Sequence, residues 1–110
     1  MLSDIHTAGE GTGKGDSVAI RGRITVDNSG EMSLTLSNAL KKKPANLLVD
    51  LSGVPYIDTS GLATLLEAVG KARKQGTRLI LNTVQDQPRY LLGITHLDQL
   101  FEIEGKEPSR

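Results

Sequence analysis

The fold is decided by residues 46–62, which read NLLVDLSGVPYIDTSGL. Residues 46–51 are mostly apolar, which is typical of a strand covered on both faces in a parallel sheet. A loop is predicted at residues 52–55. Beyond it, a helix is predicted from about residue 60 to 74, because its apolar residues recur on one helical face. Those residues are Leu62, Leu65, Leu66 and Val69. The stretch thus indicates a strand, a loop and an amphipathic helix in direct succession.

Another helix is predicted upstream of this stretch, over about residues 28–43. Asn28 is a favourable N-cap, and Glu31 stands where it completes a capping box. Apolar residues that are expected to face the core recur at helical spacing, at Met32, Leu36, Ala39 and Leu40. Pro44 ends the helix because it lacks the N–H group that the helix needs. Before this helix, residues 18–24 alternate partly between apolar and polar and predict a strand.

The residues after the helix of 60–74 continue the alternation of strands and helices. Gly76 is well placed to end that helix. Residues 78–82 predict an apolar strand, and residues 85–92 predict a shorter helix. Residues 97–101 are expected to pack on the core, and residues 101–103 to form a last short strand. Because strands and helices alternate, the sequence predicts an α/β fold with a mainly parallel mixed sheet and helices packed on it.

The two ends of the chain carry weaker signals. Residues 1–8 alternate weakly and predict an edge strand, and the glycine-rich residues 9–16 predict a flexible turn. The polar residues 104–110 are expected to fray. The length of 110 residues fits one domain, so residues 1–110 are interpreted as a single unit.

The composition argues against several classes of function. The chain has no cysteine, which excludes disulfides, thiolate metal sites and a cysteine nucleophile. Its 13 basic and 13 acidic residues cancel, and aromatic residues make up only 3% of it, so nucleic acid is not an expected partner. No apolar run approaches the roughly 20 residues of a membrane helix, and no export signal is visible. We therefore expect a cytoplasmic domain that does not insert into a membrane.

Residues 58–61, which read DTSG, stand at the start of the predicted helix. Functional groups collect beyond the carboxyl ends of parallel strands, and the partial positive charge of a helix N-terminus suits a phosphate. The hydroxyl of Ser60 is therefore a candidate for phosphorylation. Asp, Thr and Ser are also common N-caps, so a plain cap explains part of the pattern equally well. Gly61 is costly early in a helix, and we expect it where another protein approaches the backbone closely.

Residues 46–62 resemble the signature of STAS domains, specifically those of bacterial anti-sigma factor antagonists. The resemblance continues in order over most of the chain, at residues 22–24, Leu65 and Leu66, residues 78–81 and residues 97–101. Two departures accompany it. Thr25 stands where members of the family usually carry an aspartate, with Asp27 and Asn28 close by. Residues 102–110 are too short and polar for the helix with which the family usually ends.

The resemblance implies a partner-switching protein rather than an enzyme. In the family, the unphosphorylated antagonist binds an anti-sigma factor that is also a serine kinase, and this frees the sigma factor. The kinase uses ATP to phosphorylate the motif serine, which is Ser60 here, and a phosphatase reverses the step. Thr59 carries a second hydroxyl, but it does not stand at the position of the family's phosphorylated serine. The implied contact surface lies at the start of the helix, in loop 53–59 and at the end of strand 18–24. Its candidate partner-binding residues are Asp58, Thr59, Ser60, Gly61, Leu62, Thr25 and Asp27.

Other interpretations of the same residues predict different functions. The first is a STAS module that is not phosphorylated and serves as a subunit of a transporter or a signalling scaffold. A second is a small hydrolase with Ser60 as nucleophile, in a triad with His96 and an Asp. No nucleophile-elbow pattern surrounds Ser60, and the sequence places no base. Residues 8–15 faintly resemble a phosphate-binding loop but precede a strand rather than a helix. His6 and His96 lie far apart in the sequence, so a metal site is not expected. No cofactor is expected either.

Overall fold

The computed structural model describes residues 5–8 and 15–105 of the chain. Its strands are β1 (Ile5–Ala8), β2 (Gly15–Arg21), β3 (Asn46–Gly53), β4 (Arg78–Asn82) and β5 (Glu102–Glu104). Its helices are α1 (Ser29–Lys41), α2 (Thr59–Gln75), α3 (Asp86–Ile94) and a short 3₁₀ helix (Leu97–Leu100). The strands lie side by side in chain order. β1 is antiparallel to β2, and all other neighbours are parallel, so the predicted α/β fold is confirmed.

The core lies between one face of the sheet and the helices α1 and α2. Leu47, Val49 and Leu51 of β3 are buried and alternate with less buried residues. They share an apolar cluster with Met32, Leu36, Ala39 and Leu40 of α1 and with Leu62, Leu65, Ala68, Val69 and Ala72 of α2. The predicted apolar faces are confirmed, with Leu66 only partly buried at the margin of the cluster.

The expectation that β3 is covered on both faces is wrong for its second face, where Leu48 and Asp50 are only half-buried. The physical reason is the direction of the two crossovers. The connections through α1 and through α2 step the same way along the sheet. Right-handed connections then place both helices on the same side. The apolar run of β3 therefore reflects one deeply buried face and one intermediate face.

The start of α1 differs in detail from the prediction. Asn28 is the N-cap residue by position, but its side chain makes no capping hydrogen bond to the helix. Instead Oδ1 accepts from the N–H of Thr25 at 2.9 Å, and Nδ2 donates to the carbonyl of Arg23 at 3.0 Å. The predicted capping box with Glu31 is therefore wrong, because the preceding turn competes successfully for the asparagine side chain.

The boundaries of the later elements follow the sequence closely. α2 begins and ends one residue outside the predicted limits of 60–74, and Gly76 ends it in the left-handed conformation, at a φ of 80°. β4 matches its predicted range, and α3 starts one residue later and ends two residues later than predicted. Phe101 is buried in the core cluster and the last strand follows it. The expectation that residues 97–101 pack on the core is confirmed for Phe101 and for the partly buried Leu97.

β2 ends earlier than predicted, and its end positions the site. Its pairing with β3 becomes irregular between Ala19 and Arg21, and the strand stops at Arg21. The chain then bends at Gly22, and Ile24 forms an isolated parallel bridge with Ile57. This bridge ties the segment after β2 to the segment after β3.

The two edges of the sheet are short strands. β1 confirms the predicted N-terminal edge strand over residues 5–8. At the other edge, β5 has three residues, and Arg78 of β4 donates from Nε to Glu102 of β5 at 2.8 Å. The predicted glycine-rich turn falls mostly on residues 9–14, and most of the predicted tail on residues 106–110, both outside the described residues. Among residues 5–8 and 15–105, none of the helices combines the length and the apolar character that a membrane span requires.

Candidate functional site

The site is built where two segments meet beyond the ends of β2 and β3. Around the bridge between Ile24 and Ile57, the N–H of Ile24 donates to the carbonyl of Tyr56 at 2.9 Å. The N–H of Asp58 donates to the carbonyl of Ile24 at 3.0 Å. Because these strands are parallel, their carboxyl ends reach the same edge of the sheet. The turn at residues 25–28 is thereby held against the start of α2.

Asp58 is the N-cap of α2. Its backbone is extended, and its Oδ1 accepts hydrogen bonds from the N–H groups of Ser60 at 2.9 Å and Gly61 at 3.1 Å. These are two of the N–H groups that a helix leaves unpaired at its start. The sequence left open which of Asp58, Thr59 and Ser60 serves as the cap. The structure assigns the cap to Asp58, so the hydroxyl of Ser60 is not needed for it.

Ser60 lies in the first turn of α2 and is partly exposed. Its Oγ donates a 2.6 Å hydrogen bond to Oδ1 of Asp58, the same oxygen that caps the helix. Its carbonyl accepts from the hydroxyl of Thr64 at 3.1 Å, one turn further along the helix. Thr59 is exposed beside it. The Ser60 hydroxyl is therefore partly exposed and held in place by a carboxylate.

The pKa of the Asp58 carboxyl is held below its ordinary value, and the largest cause is the hydrogen bond from the Ser60 hydroxyl. Desolvation acts in the opposite direction, while the backbone N–H donors lower the pKa further. The group is consequently an ionised acceptor at neutral pH. A carboxylate with a lowered pKa is a weak general base, so Asp58 is poorly suited to activate Ser60 as a hydrolytic nucleophile.

The second oxygen of Asp58 reaches a part of the chain that the sequence did not single out. Oδ2 accepts from the N–H of Val26 at 3.1 Å, across a separation of 32 residues. Val26 itself is 73% exposed. No local pattern points to Val26, because an apolar residue in a turn carries no signal of its own. One carboxylate thus joins the start of α2 to the turn after β2.

The predicted contact residues in that turn serve different purposes. The hydroxyl of Thr25 accepts from the N–H of Asp27 at 3.2 Å, and the carbonyl of Thr25 accepts from the N–H groups of Asn28 and Ser29. Thr25 therefore shapes the turn. The side chain of Asp27 is exposed beside Val26. The structure brings both residues to the same edge as Ser60.

Gly61 and Leu62 are placed differently from the other candidates, since both are buried. A Cβ on Gly61 would lie 2.5 Å from Cγ1 of Ile57 and 2.9 Å from Cγ2 of Ile24. The glycine is therefore required by packing within this chain, and the expectation that it admits the backbone of another protein is not needed to explain it. Leu62 lies 5% exposed in the core cluster.

Two further contacts that the sequence did not predict hold the segment before Asp58. Oε1 of Gln87 accepts from the N–H of Ile57 at 2.9 Å, and its Nε2 donates to the carbonyl of Ile57 at 3.1 Å. The guanidinium of Arg23 lies 4.2 Å from the centre of the Tyr56 ring. Gln87 of α3 thus binds both backbone groups of Ile57. Together the contacts tie the loop before the cap to α3 and to the segment after β2.

The geometry around Ser60 gives little support to the hydrolase, the metal site or the phosphate-binding loop. His96 follows α3 as an exposed residue with a φ of 61°, and the Ser60 hydroxyl is directed to Asp58 rather than to an imidazole. Within the part of the chain that the structure describes, no group of three or more His, Cys, Asp or Glu residues is arranged to hold a metal ion. The residues that resemble a phosphate-binding loop lie mostly outside that part. The site is a hydroxyl, a carboxylate and the exposed surface around them.

Known proteins share both the sequence pattern and this fold. Residues 14–109 match the STAS domain family. A Bacillus subtilis (strain 168) protein named "Putative sulfate transporter YvdB" is 29% identical over 89 residues, which are 81% of this chain but only 16% of that protein. An anti-sigma factor antagonist from Mycobacterium paratuberculosis is 22% identical with a TM-score of 0.74, over 90% of this chain and 84% of its own. The anti-sigma factor antagonist SpoIIAA in its unphosphorylated form is 13% identical with a TM-score of 0.76, over 93% of this chain and 87% of its own. The likeness to the solved structures concerns the fold, and the match over residues 14–109 shows that the chain belongs to the STAS domain family.

Proposed function

We propose that the protein is an anti-sigma factor antagonist that binds an anti-sigma factor with serine-kinase activity and releases it when Ser60 is phosphorylated. The observation that carries the proposal is the Ser60 hydroxyl, which is partly exposed in the first turn of α2 and bonded at 2.6 Å to Asp58. The solved structure of SpoIIAA, which has this fold, is that of its unphosphorylated form. The site of this chain offers an acceptor for the same modification.

Phosphorylation at this position would change the surface strongly and the core little. A phosphoserine adds about −1.5 to −2 charges at neutral pH. This charge lies next to the ionised Asp58 and repels any acidic group of a partner. An interface that covers the phosphate must also remove its water, which costs desolvation energy. Ser60 itself is only partly buried and is absent from the apolar cluster of the core. A partner is therefore ejected while the domain stays folded.

The proposed contact surface follows from exposure at this edge. Thr59 and Asp27 are exposed, and Asp58, Ser60 and Thr25 are partly exposed. We assign these five residues to the contact with the partner. Gly61 and Leu62, which the sequence also suggested, are buried and support the surface from behind.

The protein is proposed to be a substrate of its kinase rather than an enzyme. The lowered pKa of Asp58 makes it a weak base toward the Ser60 hydroxyl, which disfavours the hydrolase alternative. The kinase binds the ATP, so the chain needs no cofactor of its own. A separate phosphatase restores the hydroxyl. These exchanges take place in the cytoplasm, with neither nucleic acid nor a membrane as a direct partner.

A second function is favoured by one specific comparison. The relative named as a sulfate transporter is 29% identical to this chain, which spans 16% of its length. A domain with this sequence pattern therefore also occurs as a small part of a larger protein. In that alternative, the chain serves as an unphosphorylated STAS module of a transporter or a signalling scaffold.

The two functions are separated by a phosphorylation assay with a matched control. The full chain, Ser60→Ala and Thr59→Ala would each be incubated with the serine-kinase anti-sigma factor and ATP, and the phosphate mapped by mass spectrometry. We expect transfer to the wild type and to Thr59→Ala, but not to Ser60→Ala. We also expect Ser60→Asp to bind the kinase at least tenfold more weakly, which corresponds to about 1.4 kcal/mol. Absence of transfer together with full binding by Ser60→Asp would favour the scaffold function instead.

A further inference from the structure

Val26 is the most exposed large apolar side chain among the described residues, at 73%. It lies at the same edge as Ser60, in the turn that follows β2. Exposed apolar residues are common singly on protein surfaces and need no special explanation. Val26 differs because its backbone is held by a side chain of the proposed switch. Its N–H donates to Oδ2 of Asp58 at 3.1 Å.

The two oxygens of the Asp58 carboxylate are divided between two parts of the surface. Oδ1 accepts the Ser60 hydroxyl and the N–H groups of Ser60 and Gly61. Oδ2 accepts the N–H of Val26. Since the carboxylate is one rigid planar group, it cannot turn away from the start of α2 and keep its bond to Val26. The carboxylate therefore connects the turn at Val26 directly to the hydroxyl of Ser60.

We propose that Val26 is an apolar contact for the partner that Ser60 controls, and that Asp58 makes the presentation of Val26 depend on whether Ser60 carries a phosphate. The inference rests on the proposed function, because it assumes that Ser60 is the phosphorylated residue. Beyond that function, it specifies the kind of surface with which the partner contacts this chain. That surface has an apolar pocket for Val26 next to polar groups for the Ser60 hydroxyl.

The chemistry of the modification explains the coupling. The γ-phosphoryl group of ATP forms a bond to Oγ of Ser60, ADP leaves, and the hydroxyl proton passes to solvent. The 2.6 Å contact between Oγ and Oδ1 of Asp58 then has no hydrogen between its two oxygens. The new phosphate also competes for the N–H groups at the start of α2, which bind anions well. Asp58 is displaced, and the N–H of Val26 loses its acceptor.

The coupling is tested in the isolated chain by amide hydrogen exchange measured with NMR. The unmodified protein, the same chain synthesised with phosphoserine at position 60 and the variant Asp58→Ala would be compared. We expect the Val26 amide to exchange faster by about tenfold in the phosphorylated chain, as in Asp58→Ala, since opening it then costs about 1.4 kcal/mol less. The amide of the buried Leu81 in β4 serves as the reference for global stability, and the Val26 amide is expected to accelerate beyond it. Equal protection of Val26 with and without phosphate overturns the coupling.

The contact is tested by binding to the serine-kinase anti-sigma factor, measured by titration calorimetry. Val26→Ser is compared with Ile94→Ser, which alters another exposed β-branched residue in the last turn of α3. We expect Val26→Ser to weaken binding about tenfold, in line with the burial of one aliphatic side chain, and Ile94→Ser to bind as the wild type does. Wild-type affinity of Val26→Ser, alongside weak binding of Ser60→Asp, overturns only the contact of Val26. Unchanged affinity of Ser60→Asp would instead overturn the proposed function.

Discussion

Gly61 packs so closely against Ile57 that a methyl group on its Cα would lie 2.5 Å from Cγ1 of the isoleucine. Ile24, which bridges to Ile57, would be 2.9 Å from the same methyl group. The first turn of α2 therefore rests directly on the bridge that joins the segments after β2 and β3. This contact sets the distance between the N-cap and the turn at residues 25–28.

Replacing the two glycines within α2 is expected to change stability in opposite directions. Gly61→Ala forces the packed isoleucines to move, and overpacking of this kind costs about 1–3 kcal/mol. At Gly70 a Cβ would meet nothing within 4 Å, so Gly70→Ala is expected to stabilise the helix by about 0.5–1 kcal/mol. Urea unfolding measures both free energies. A Gly61→Ala protein as stable as Gly70→Ala would contradict the close packing.

Removal of the N-cap side chain is expected to lower the thermal unfolding midpoint. Asp58→Ala leaves the N–H groups of Ser60, Gly61 and Val26 without their acceptor, whereas Asp58→Asn keeps an oxygen and a good N-cap residue. We therefore expect the order wild type, Asn, Ala in descending midpoint. Asp27→Ala, which removes an exposed carboxylate from the neighbouring turn, is the control and should melt close to the wild type.

The contribution of Asp58 to stability is expected to depend on pH. Its pKa is lower in the fold than in the unfolded chain, so the stabilisation is complete above the unfolded value and is lost as the pH falls through the folded value. Unfolding by urea at several pH values would compare the wild type with Asp58→Asn, which does not titrate there. We expect the difference between them to be constant near neutral pH and to shrink below about pH 4. A difference that grows on acidification would show that the sign is wrong.

The hydroxyl of Ser60 is expected to control the ionisation of its neighbour. It is the largest cause of the lowered pKa of Asp58, so Ser60→Ala should raise that pKa toward its ordinary value. The carboxyl carbon of Asp58 can be titrated by NMR in both proteins. Thr59→Ala is the matched control, because no hydrogen bond of Thr59 to Asp58 contributes to the shift. An unchanged titration in Ser60→Ala would mean that the backbone donors suffice.

The two hydrogen bonds from Gln87 of α3 to Ile57 are expected to stabilise the loop before the cap. Gln87→Ala removes the partners of both backbone groups of Ile57, and a partly buried polar group left unpaired costs about 1–3 kcal/mol. Gln99→Ala alters an exposed glutamine in the 3₁₀ helix and is expected to be neutral. Urea unfolding of both variants gives the comparison. If the two lose equal stability, water replaces the glutamine at Ile57 without loss.

The elements that could be predicted are those whose signal is local. The apolar spacing in α1 and α2, the run of β4 and the glycine at position 76 each reflect contacts within a few residues or burial on one face. Such patterns are visible along the chain because periodicity and burial go together. The sequence predicts the end of β2 too late, since residues 22–24 continue the apolar alternation although the chain has already bent at Gly22.

The site could be predicted only in part, because its contacts join distant residues. The motif around Ser60 is local and was found. The bonds of Asp58 to Val26 and of Gln87 to Ile57 span 32 and 30 residues. They form because parallel strands end at the same edge of the sheet, where the loops that follow them meet. No residue type along the chain indicates such a contact. The role of Asn28 was misjudged for a similar reason, since its side chain can serve a helix or the turn before it.

The short outer strand β5 bears on how the protein behaves at high concentration. It consists of Glu102, Ile103 and Glu104, so its single apolar residue stands between two carboxylates. A strand this short offers few backbone groups for pairing, and the exposed Glu104 places a charge at this edge. Growth of the sheet from molecule to molecule is thereby discouraged at this edge. A concentrated solution of this domain is therefore expected to build fibrils through β5 less readily than a protein with a long apolar outer strand would.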